Sequence, residues 1–303
     1  MSALQIQIRR EFWEHRALWI TPLAIAIVLL LLTWLFGHVR VGLGDPQALE
    51  YREFAPPLYQ LMLLGWAVPF YLATAILAAS YLLDCLYGER RDRSILFWRS
   101  MPVSDARTVL VKLLVGLVLV PLGTFLIAGA TSLLASGLMA LRHHTLVING
   151  LSVPLWNTVA WLQMQGVMLY GLVAALLWYA PFAAYLLLIS VWARRSPYAW
   201  AFIPPLLLVI FEHMMFGTNY IGHVVNGGFG ELLHRAFRAP HSAMMISSDL
   251  AAAPAGAGAA LCPSGVLLDP LNLLASARLW WGLLAAAAMS ALAIHLRRFG
   301  DDA

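Results

Sequence analysis

"LLVGLVLVPLGTFLIAGATSLLASGLM", residues 113–139, contains no charged side chain. A helix needs roughly 20 apolar residues to cross the ~30 Å hydrocarbon core of a bilayer, and this run exceeds that. Extended back to residue 107, it is one of several such stretches. Others lie near 18–36, 59–87, 159–192, 198–216 and 278–296. Composition agrees: 61% of the 303 residues are hydrophobic and only 11% are charged, against roughly 25% charged in soluble domains. The expected fold is an all-α polytopic membrane protein with six transmembrane helices, one transmembrane domain over residues 1–303. The longest runs must tilt or project beyond the lipid. Pro69, Pro121 and Pro181 lie inside them, and each removes a backbone donor and invites a kink. Gly116, Gly123 and Gly129, like Ala75 and Ala79, read as sites of close helix packing.

Lys and Arg near span ends set the orientation. One side carries Arg9, Arg10, Arg16, Arg90, Arg91, Arg93, Arg99, Arg107, Lys112, Arg194, Arg195, Arg297 and Arg298, and the other Arg40, Arg52, Arg142, Arg235, Arg238 and Arg278. That imbalance places both termini in the cytoplasm, and an even number of spans agrees with their lying on the same side. The first apolar segment follows a charged leader, is too long for a signal peptide and lacks a small-residue cleavage site. The leader itself, residues 1–17, reads as an amphipathic interfacial helix with Leu4, Ile8, Phe12 and Trp19 on one face. Glu11 and His15 interrupt that face, which points to contact with protein as well as lipid. The long outer segment, 217–277, is expected to hold short helices: "ELLHRAF" at 231–237, and "LNLLASA" at 271–277 behind Asp269 and Pro270.

Several chemistries are missing. No G-x-x-x-x-G-K-[ST] loop is present, and Lys112 is the only lysine in the chain. No H-E-x-x-H exists either; Glu212 and His213 are adjacent, so on a helix they point about 100° apart. His223, His234 and His241 read as solvated or interfacial, with a metal site as the alternative. No catalytic, cofactor or metal residues are assigned, and nothing points to nucleic acid. Asp84 either reaches the interface, where it can pair with Arg90 or Arg91, or has a functional role. Glu212, with His213 beside it, is a possible pathway residue, because acids inside a membrane are functional candidates by default; it equally could reach the outer interface.

Charge concentrates in "YGERRDRSILFWRSMPVSDARTVL", residues 87–110. Asp92 to Arg99 can form a short amphipathic helix offering Ile95, Phe97 and Trp98 for burial. Pro102 ends it, and Ser104 is placed to cap the next span. A positive-inside anchor explains the arginines. It does not explain the acids or the Phe97–Trp98 pair, which together have the composition of a protein-binding surface.

This stretch resembles the cytoplasmic loop of ABC-2-type permeases, the membrane subunits of bacterial ATP-binding-cassette exporters. The matching positions are the run Glu89, Arg90, Arg91, Asp92, Arg93, then Ser94, Ile95, Leu96, Phe97, Trp98, Arg99, Ser100, Met101 and Pro102-Val103-Ser104. The resemblance implies that residues 88–106 are a coupling loop, with Glu89 to Arg99 docking on a separate ABC-type ATPase. It further implies two ATPase copies and a second permease, identical or paralogous, in the bacterial inner membrane. The leader helix would touch the ATPase too, and the pathway would lie between permeases along the first, second and fifth spans. Two other readings are a membrane sensor of the same architecture without transport, and an intramembrane enzyme built on Glu212 and His213.

Overall fold

The computed structural model describes residues 3–36, 40–41, 55–92, 104–141, 146–148, 151–153, 158–218, 228–238 and 267–299. A short helix α1 (Ala3–Glu14) leads through a turn at His15 into α2 (Ala17–Phe36). Next come α3 (Ala55–Asp84), the one-turn α4 (Tyr87–Arg91), α5 (Asp105–Leu114), a π-helical turn (Val115–Leu119) and α6 (Val120–Leu141). The second half holds α7 (Thr158–Trp192), α8 (Pro197–Phe216), α9 (Gly228–Ala236), α10 (Pro270–Leu274) and α11 (Ala277–Phe299). Six helical segments are long and apolar enough to cross a membrane, and they coincide with the six apolar runs. The third segment is α5, the π turn and α6 in continuous succession.

Two ribbons of short strands decorate the end of the bundle opposite α1. β1 (Arg40–Val41) pairs parallel with β2 (Leu146–Ile148), which pairs antiparallel with β3 (Leu151–Val153). β4 (Phe237–Arg238), directly after α9, and β5 (Leu267–Leu268), just before α10, pair antiparallel. Hydropathy gave no sign of them, because strands this short leave no periodic pattern.

The π turn has a local cause. Val120 N–H donates to the Val115 carbonyl, five residues back, just ahead of Pro121. A proline ring clashes with the carbonyl four residues before it and offers no N–H to that carbonyl. Widening the preceding turn relieves both problems. The same turn carries Gly116 against α3, where an added Cβ would sit 2.8 Å from the Leu82 side chain. Gly129 faces Gln165 closely, whereas no atom lies near the corresponding position at Gly123. Only the first two are therefore packing glycines.

Packing is uneven. The largest buried cluster lies where α3, α5, α7 and α11 meet near α1, and includes Tyr81, Leu83, Val109, Val115, Leu186 and Leu187. A second joins α7 and α11 to α9 and α10 through Trp178, Leu232, Leu273 and Leu279. Those two short helices thus pack onto the bundle, and Asp269 caps α10 by accepting from Asn272 N–H at 3.1 Å. Thr74 donates to Thr124 at 2.8 Å between α3 and α6, the kind of buried polar link that joins helices in lipid. By contrast α8 is peripheral; among its residues only Pro197, Ala201 and Glu212 are buried.

Candidate functional site: a buried ion cluster beneath the charged loop

Lys112 sits two turns into the third apolar segment, between valines and leucines, and is 1% exposed. An ammonium there requires anions. Its Nζ lies 2.9 and 3.1 Å from the two Glu11 oxygens and 3.2 Å from Glu89 Oε1, so its three donors have three acceptors. Glu11, 3% exposed, also accepts from the Tyr81 hydroxyl at 2.8 Å. Glu89, 6% exposed, is held from two further sides: Arg10 Nη2 at 3.2 Å and Arg297 Nη1 at 3.1 Å. Arg297 Nε reaches Asp105 Oδ1, also at 3.1 Å.

Three acids, Glu11, Glu89 and Asp105, thus meet three bases, Arg10, Lys112 and Arg297, and Arg10 also pairs with the exposed Glu14 at the rim. Four of these ions, Glu11, Glu89, Lys112 and Arg297, are buried, and such desolvation is tolerable only where each charge has an opposite partner close by, as all four do. Arg297 is pivotal. It holds Glu89 just before residues 93–103 and Asp105 just after them, so one guanidinium ties both feet of that loop to the end of α11.

The feet are secured a second way. Arg90 Nη2 donates to the Ser190 and Ala193 carbonyls at 2.6 and 2.9 Å, capping the last turn of α7, whose carbonyls lack intrahelical partners. Ser190 Oγ accepts from Leu86 N–H and Tyr87 N–H at 3.1 and 3.0 Å. Asp84 is therefore not what engages Arg90. Arg91 pairs with Asp92 at 3.1 Å in an exposed contact. Ser104 caps α5 as its position implied, accepting from Arg107 N–H. Arg93, Ser94, Ile95, Leu96, Phe97, Trp98 and Arg99 lie outside the described residues.

Glu11 and His15 are also accounted for within the chain. The protein that Glu11 touches is the chain's own core, through Lys112 and Tyr81. His15 packs edge-on against the Tyr81 ring, with centroids 4.9 Å apart. Burial lowers its pKa, only partly opposed by the Glu11 carboxylate, so the ring is neutral at pH 7. Glu11, Glu14 and His15 each bring a ligand atom within 4.8 Å of the others. Lys112 already occupies the Glu11 oxygens and Arg10 those of Glu14, which leaves a metal ion competing with two resident cations.

Glu212 and His213 do not converge. Glu212 is buried and accepts from the Thr218 hydroxyl at 2.9 Å, whereas His213 is exposed on another face. The sequence reading missed the cluster because Lys112 and Arg297 counted there only as positive charges near span ends. A usable signal was present: the chain's single lysine lies in "VLVKLL", and Glu11 breaks an apolar helix face.

A helical protein with six candidate membrane spans and a buried ion-pair cluster at one end is the class these features define. Comparison with family models, with curated proteins and with solved structures finds no match.

Proposed function

We propose that this chain is the membrane permease subunit of an ATP-driven exporter. It docks a separate ABC-type ATPase through residues 88–106 and forms the translocation pathway with a second permease. The charged end then faces the cytosol of a bacterium, and ATP hydrolysis takes place on the partner chain. The observation that carries the reading is the double clamp of the loop. A loop that receives a mechanical push must be rigid where it meets the membrane helices. Here its two feet, Glu89 and Asp105, share Arg297, and Glu89 further engages Lys112 and Arg10. Motion imposed on the loop would reach α1, α5 and α11 together. The resemblance of residues 86–114 to ABC-2 permeases supports the same reading, and the missing phosphate-binding loop accords with a nucleotide site on another chain. The exposed apolar faces of α2 and α8 suit contact with a second permease.

The test is co-purification. A tagged chain is expected to retain the ATP-binding-cassette ATPase encoded beside it, and Phe97→Ala with Trp98→Ala to lose that ATPase while still inserting. Unchanged retention by the double variant ends the coupling assignment. ATPase activity in proteoliposomes without movement of any cargo would instead favour the sensor.

A further inference from the structure

The leader helix α1 has two unlike faces. Ile8, on the face that the sequence offers to lipid, packs instead against the largest buried cluster, and Glu11 beside it is held in the ion cluster. The opposite face is exposed. Ile6, Arg9 and Trp13 recur along it at spacings of three and four, which puts them on one side of a helix. Ile6 is 56% and Trp13 65% exposed. The Arg9 guanidinium lies over the Trp13 ring, 5.3 Å from its centroid. Arg16, in the turn that follows, is exposed as well.

These two arginines are unmatched. Among the described residues neither Arg9 nor Arg16 pairs with an acid. The acids of α1 itself are taken: Glu11 by Lys112 and Tyr81, and Glu14 by Arg10. The face therefore carries surplus positive charge beside two large apolar side chains.

The position of α1 fixes what this face meets. Glu11 reaches Lys112, two turns into the third apolar segment, so α1 lies alongside the bundle and not over its end. The Trp19 indole N–H donates to the Phe12 carbonyl at 3.3 Å, which folds the close of α1 against the first turn of α2. The exposed face thus sits at the level where a candidate span begins. Tryptophan belongs at that level in a bilayer, and an arginine there binds phosphate oxygens by paired, charge-assisted hydrogen bonds.

We infer that this face is a seat for anionic phospholipid headgroups, with Arg9 and Arg16 on phosphate and Trp13 and Ile6 in the top of the acyl layer. The seat does not rest on the transport reading, since it needs only α1 and a membrane.

Fluorescence quenching in nanodiscs holding the whole chain tests this. A bimane label on Ile6→Cys, in a Cys85→Ala, Cys262→Ala background, reports which lipids surround the face. The discs contain phosphatidylglycerol and phosphatidylcholine in equal amounts, with a quenching doxyl group high on the acyl chain of one or the other. Labelled phosphatidylglycerol is expected to quench about fivefold more effectively, the order that one arginine at an anionic surface supplies. Arg9→Gln with Arg16→Gln is expected to bring the two lipids close to parity. That double variant removes no ion pair, so it keeps the fold. Arg194→Gln with Arg195→Gln, on the exposed turn between α7 and α8, is expected to leave the preference intact. Equal quenching in the parent overturns the seat. So does a preference that survives the loss of Arg9 and Arg16, or one abolished equally by the loss of Arg194 and Arg195. Quenching by neither lipid overturns it too, by turning the face towards a protein partner such as the ATPase or a second copy.

Discussion

Lys112 contributes nothing as an anchor at a water interface; its ammonium is buried against Glu11 and Glu89. Removing one member of a buried pair costs far more than removing both, because the survivor keeps its desolvation penalty without its partner. Lys112→Met is therefore expected to destabilise the purified protein by roughly 3–5 kcal/mol. Most of that loss should fall on Glu11, since Glu89 retains Arg10 and Arg297. Adding Glu11→Gln to Lys112→Met should recover part of the stability, measured as the thermal unfolding midpoint in detergent. A double variant no more stable than Lys112→Met would mean that the Glu11 charge is not what the lysine neutralises.

Elements in this bundle meet at a few positions where no side chain fits. The π turn ahead of Pro121 brings Gly116 against Leu82 and Tyr81 of α3, at the edge of the best-packed cluster. Gly123, seven residues on, has no heavy atom within 4 Å of the position a Cβ would take. Gly116→Val should thus overpack the α3 contact and cost about 1–3 kcal/mol, while Gly123→Val should stay within about 0.5 kcal/mol of the parent. Paired melting curves check this, and equal effects would remove the packing role assigned to the π turn. The same logic makes α8 the loosest span. It has few buried residues and flanks, with α7 and α11, an apolar cavity.

For the whole molecule, the ion cluster itself constrains topology. Glu11, Glu89, Asp105 and Arg297 meet within ion-pair distance of shared partners. The starts of α2 and α5, the end of α3 and the end of α11 must then lie at one end of the bundle. Six crossings satisfy this; five or seven would separate Glu11 from Arg297 by a membrane. Single cysteines replacing Arg9 and Arg298, in a Cys85→Ala, Cys262→Ala background, are expected to react with an impermeant maleimide from the same face of oriented vesicles. A cysteine at Arg235 should react only from the opposite face. Labelling of Arg9 and Arg298 sites from different faces would contradict the cluster.

Apolar run length by itself determined the number of spans and most of their bounds. Exclusion of uncharged helices from water acts on each segment alone, so no partner segment is needed to read it. The caps at Ser104 and Asp269 were legible for the same reason, since a cap satisfies amides a few residues away. Residues 10, 11, 81, 89, 105, 112 and 297 behave differently: most of the contacts in their cluster join positions far apart in the chain. A charge near a span end reads alike whether it meets water, lipid phosphate or an opposite charge from another helix. Only tertiary structure decided that these charges turn inward, because their burial depends on simultaneous pairing that no local pattern encodes. The cavity beside α8 belongs to the same level, since it depends on how three helices splay. Sequence thus determined what crosses the membrane, and packing decided which of its charges hold the crossing helices together.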